Sequence, residues 1–61
     1  MSALTVIKQA QKELVELNKI MGLNEDLLML AEMQIDIQSA SYDGSESITQ
    51  FVDRCVEIAS I

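Results

Sequence analysis

Asn24-Glu25-Asp26-Leu27-Leu28-Met29-Leu30-Ala31-Glu32-Met33-Gln34-Ile35-Asp36-Ile37-Gln38-Ser39 is the stretch on which the fold turns. Asn24 is a good helix N-cap, and Glu25 and Asp26 suit the positive end of a helix. Leu27, Leu28, Leu30 and Ala31 carry the helical pattern onward. Past Ala31 the pattern changes. Met33, Ile35 and Ile37 alternate strictly with Glu32, Gln34, Asp36 and Gln38, which is the pattern of a half-buried strand. Two readings stay open. In one, a helix spans about 25–39 and touches neighbours on two sides. In the other, residues 32–38 form a strand, giving an α+β fold in which that strand pairs with a second copy or with chain beyond Asp43-Gly44, a hairpin turn signal.

The flanking segments are less ambiguous. Ahead of the stretch, Ser2 can cap a helix that Gly22 ends. Ile7, Ala10, Leu14, Leu17 and Met21 recur at spacings of three and four, with Leu4 leading in. Lys8, Lys12, Glu16 and Lys19 fall on another side, while Val6, Val15 and Ile20 leave the narrow seam. Beyond the stretch, Ser47 and Gln50 form a capping-box pair. Ile48, Phe51, Val52, Cys55, Val56 and Ala59 then make one apolar stripe, with Asp53, Arg54 and Glu57 turned away. The expectation is an all-α fold: helices over about 3–21, 25–39 and 47–59, one domain over 1–61, and a bundle completed by dimerisation.

Composition narrows the chemistry. Of 61 residues, 49% are apolar, yet only Tyr42 and Phe51 are aromatic. A chain of about 60 residues buries only roughly 60% of its unfolded surface and is marginal alone. One cysteine cannot form an internal disulfide, and without histidine a soft metal site is not expected. Self-association, or an unusually well-packed helical core, is the remaining support. The longest apolar run, Leu27 to Ala31, is too short for a membrane span, and no basic region leads into an apolar block at the N-terminus. A reduced cytoplasmic setting suits the lone Cys55.

The net charge is −6 and is unevenly spread. Residues 1–20 hold three lysines against two glutamates, and residues 21–61 hold Arg54 against eight acids. Phosphate backbones repel such a chain, so direct nucleic-acid binding is not expected, whereas a partner with a basic surface is.

Catalytic groups are few. Without histidine there is no Ser-His or Cys-His pair, and Cys55 sits on an apolar stripe as a small core residue. Carboxylate pairs are the abundant group. Glu13-x-x-Glu16 resembles the first half of the motif with which all-helical nucleotide pyrophosphatases of the MazG type hold magnesium. Glu32-x-x-x-Asp36 misses the second half by one residue. Asp43-Gly44-Ser45-Glu46-Ser47-Ile48 is similar to the Gly-x-Asp-Ser-Leu stretch of acyl carrier proteins. That resemblance implies Ser47 as the attachment point of a phosphopantetheine arm. Glu46 stands where that family has aspartate, and a capping serine accounts for the same letters.

Neither resemblance outweighs the shortage of catalytic groups. The leading expectation is a non-enzymatic acidic helical protein, without cofactor or metal, that self-associates and acts by binding another protein. It would be a regulator, adaptor or inhibitor of the kind phages and mobile elements encode. The expected interface is Leu27, Leu28, Met29, Leu30, Met33, Ile35 and Ile37, with Glu25, Asp26, Glu32 and Asp36 as its acidic rim. Met21, Met29 and Met33 cluster there, and methionine adapts to varied partners. Two alternatives are an acidic nucleic-acid mimic that blocks a DNA- or RNA-binding protein, and the carrier modified at Ser47.

Overall fold

A computed structural model describes residues 2–61. Helix α1 spans Ala3–Met21, α2 spans Glu25–Ser39 and α3 spans Ile48–Ala59. No strand occurs among the described residues, so residues 32–38 belong to a continuous helix. The architecture is all-α.

Local chemistry sets each boundary. Ser2 Oγ accepts from the Thr5 amide at 3.2 Å, Asn24 Oδ1 from the Leu27 amide at 2.7 Å, and Ser47 Oγ from the Gln50 amide at 3.1 Å. These bonds satisfy amides that have no partner within the first turn of a helix. At Ser47 the box is reciprocal, because the Ser47 amide donates to Gln50 Oε1. Gly22 ends α1 in the left-handed region, at φ 66°, and its amide donates to the Asn18 carbonyl at 2.8 Å. A side chain there would be strained. The three residues 22–24 then turn the chain so that α2 packs against α1.

Each helix packs against both others. The core is Val6, Ala10 and Leu14 from α1, Ala31 and Ile35 from α2, and Phe51, Val52 and Cys55 from α3. Half-buried Ile7, Leu17, Leu23, Leu28, Tyr42, Ile48, Val56 and Ala59 surround it. The radius of gyration, 10.5 Å, equals the value of about 10.5 Å expected for a closely packed chain of this length. All three helices are therefore folded in, with none extended as an arm.

The α1 stripe differs from the sequence expectation. Val6 is fully buried, Ile7 only half-buried and Met21 exposed. The spacing of four through Val6, Ala10 and Leu14 turns α1 toward α3 as well as α2, and Met21 lies past the last turn that the core covers.

A polar cluster anchors the α2–α3 connection. Arg54 Nη2 donates to Glu46 Oε1 at 2.6 Å, and its guanidinium lies 5.5 Å from the centroid of the Phe51 ring. Tyr42 stacks at a tilt on Phe51, with centroids 5.1 Å apart, and its hydroxyl donates to the Glu46 carbonyl. The bond to Glu46 raises the guanidinium's hold on its proton. Arg54 thus ties α3 to the connection, although its place on the helix suggested a solvent-facing residue.

Candidate functional site: the outer face of α2

A helix turns 100° per residue, so positions four apart stay on one side. In α2 two such rows coexist. Ala31, Ile35 and Ser39 form the buried row. Met29, Met33 and Ile37 form the other, offset by about half a turn. These three and Leu30 are between 46% and 60% exposed. The strict alternation past Ala31 is therefore real, but it belongs to a helix with apolar residues on opposite sides. Ile35 points in, and Met33 and Ile37 point out.

This divides the expected interface. Met29, Leu30, Met33 and Ile37 form a continuous exposed stripe. Ile35 is 0% exposed and drops out of the site, because its phase on the helix turns it to Phe51 and the rest of the core. Leu28 packs half-buried against that core, and Leu27 is also half-buried. Glu25, Asp26, Glu32 and Asp36 are all exposed. By helical phase Glu25, Glu32 and Asp36 lie between the stripe and α1, and Asp26 falls within the stripe's first turn. None of the four has an ion-pair partner among the described residues.

The residues with other chemical readings are engaged elsewhere. Glu13 accepts from Thr49 Oγ1 at 3.3 Å, linking α1 to α3, and Glu16 pairs with Lys19 at 3.4 Å. Among the described residues no three carboxylate or thiol side chains converge as a metal site would require. Ser47 Oγ is the cap of α3. Cys55 lies in the core, where burial pushes its thiol pKa up and away from the reactive thiolate. No described helix is long and apolar enough to cross a membrane.

A second exposed stripe lies on α1, of which the sequence reading sets Lys8, Lys12, Lys19 and Val15 off the seam but leads Leu4 into it. Leu4, Lys8, Lys12, Val15 and Lys19 follow at spacings of four, four, three and four, and all are exposed. The spacings are legible in the sequence, but they place Leu4 with the lysines rather than at the head of the buried seam. Leu4 is instead 61% exposed and Val15 52%. The chain matches no protein-family model, no curated protein and no solved structure.

Proposed function

We propose that this is a non-enzymatic protein-binding module that self-associates and acts by occupying another protein through the outer face of α2. The observation that carries this reading is the second apolar row of α2, Met29, Met33 and Ile37, left in solvent opposite the buried row. An amphipathic helix in a small domain needs only one such row. A second row, with Leu30 beside it and carboxylates along its edge, fits an interface with an apolar centre and a polar rim. Two methionines in it suit a surface that adapts to a partner. The acidic rim favours a basic surface on that partner. A single free thiol supports a reducing cytoplasmic setting.

Sedimentation velocity over a range of concentrations tests the reading. Wild type is expected to associate. The Met33→Asp/Ile37→Asp double variant is expected to sediment as a monomer with unchanged helical circular dichroism. A wild-type chain that remains monomeric at hundreds of micromolar rejects self-association.

A further inference from the structure

The exposed row of α2 is bordered by charge along one edge only. Gln38 accepts from Arg54 of α3 at 3.5 Å, so its side of α2 faces α3 and the other side of the buried row faces α1. Glu25, Glu32 and Asp36 fall on that α1-facing edge of the exposed row, next to Met29 and Met33. The edge toward α3 carries only half-buried Gln34 and Leu27. Nothing in the chain neutralises the acidic edge. Helix α2 contains no lysine or arginine. Glu13 bonds Thr49 and so marks the edge of α1 that faces α3. By helical phase Lys8, Lys12 and Lys19 then lie beyond Leu4 and Val15, on the side of α1 turned away from α2. Lys19 pairs instead with Glu16, and the carboxylates beside the row have no ion pair among the described residues.

Resting on the reading of this face as a binding surface, we propose that the partner it takes is a cationic amphipathic helix of another protein. Its apolar stripe lies on Met29, Met33 and Ile37, and lysines or arginines along one edge of that stripe lie over Glu25, Glu32 and Asp36. The exposed row, widened by Leu30, calls for an apolar stripe of the same kind. A helix suits it better than a strand. The backbone groups of α2 are bonded within the helix, so they offer nothing to the open edge of a strand, whereas a helix arrives with its own backbone satisfied. Positions 29 to 37 span about 12 Å of the axis and positions 25 to 36 about 17 Å, so roughly three helical turns cover both the row and its edge. The unpaired carboxylates supply the charge complementarity, and their placement on one edge fixes which edge of the partner is basic. The same carboxylates repel an anionic lipid surface or a phosphate backbone, which leaves a polypeptide as the occupant.

Fluorescence anisotropy provides the test, with the full chain titrated into a dye-labelled synthetic helix of leucines and lysines whose lysines lie along one edge of the leucine stripe. Saturable binding that weakens as sodium chloride rises is expected. Glu32→Lys/Asp36→Lys should weaken it by roughly tenfold or more, and Met33→Asp/Ile37→Asp should do the same. Asp53→Lys/Glu57→Lys makes an equal change in net charge on the outward side of α3 and should leave the affinity nearly unchanged. Every replaced residue is exposed, so helical circular dichroism should match wild type throughout. Equal weakening by the α2 and α3 reversals overturns the proposal, because the attraction is then to net charge and not to this edge. Binding indifferent to Met33→Asp/Ile37→Asp overturns it, and so does equal binding of a peptide with glutamates in place of the lysines. Any of these results beside a wild-type chain that still associates with itself leaves the proposed function standing. A wild-type chain that stays monomeric yet binds the peptide as described supports the cationic helix and rejects self-association alone.

Discussion

Helices α2 and α3 have similar composition and opposite logic. In α3 the apolar residues form one stripe, led by Phe51, Val52 and Cys55, all fully buried. In α2 they form two rows, and only Ala31 and Ile35 of its apolar residues are fully buried. Both helices are capped by a side-chain oxygen and both join the same core. The difference lies in what each has left over. Most of the apolar content of α3 is packed into the fold, with Ile58 exposed at the edge of its stripe, whereas α2 buries one row and leaves one in solvent. Thus the distribution of apolar residues around a helix, rather than their number, decides how much of its apolar surface the fold buries and how much it leaves in solvent.

The sharpest way to break this contrast is at Phe51. Phe51→Ala should cost about 3–5 kcal/mol, comparable with the whole ~3–5 kcal/mol that a core of this size supplies. Loss of the helical circular dichroism signal at room temperature is expected; a cooperative native-like melt would show that α3 is not the anchor. Ile35→Ala, on the buried row of α2, should cost about 2–5 kcal/mol, read as a lowered urea midpoint. If Ile35→Ala and Met33→Ala cost the same, the two rows of α2 are not distinct.

Chemical reactivity sharpens the same point. Cys55 should resist alkylation in the native state by roughly 100-fold or more relative to the unfolded chain, because attack requires opening of the core. In the dissociated chain Met29 and Met33 should meanwhile be oxidised by peroxide at nearly the unfolded rate. The Cys55 thiol has its folded pKa raised, so its contribution to stability is present below the unfolded thiol's value. That contribution should be lost as pH rises from that value through the folded thiol's pKa, which burial raises.

Two smaller effects lie at the helix margins. Ser47→Ala should cost about 1 kcal/mol through loss of the cap, and Ser47→Asn should recover most of it; a carrier serine would gain nothing from asparagine. Asn18 Oδ1 is buried without a donor, so Asn18→Leu should raise the urea midpoint, by roughly 1 kcal/mol. Smallest in the monomer is Met33→Asp, expected within about 0.5 kcal/mol. Its effect should appear in the sedimentation coefficient instead.

Much of the fold was legible because its boundaries are local. Ser2, Asn24 and Ser47 declare three helix starts within a few residues, and Gly22 declares one end. What escaped were relations between segments. The choice of Val6 over Ile7 for the core depends on where α3 lies against α1. Arg54 could be placed on its helix but not beside Glu46 and Tyr42, because that cluster forms only when the connection folds back onto Phe51. Alternation at 33, 35 and 37 was seen and its two-sidedness anticipated. Only the packing of Ile35 against the core decided which side faces in. The expected interface residues thus divide between the inward and outward sides of α2.

The Tyr42–Phe51–Arg54 cluster also has an optical consequence. The chain has no tryptophan and a single tyrosine. Its near-ultraviolet absorbance and emission therefore arise almost wholly from one phenol, held against the core's one aromatic ring and bonded to the Glu46 carbonyl. Undocking of the α2–α3 connection should register as a change in tyrosine fluorescence and near-ultraviolet circular dichroism, with no label attached. Because Tyr42 belongs to the α2–α3 connection and not to the exposed row of α2, this signal reports on folding.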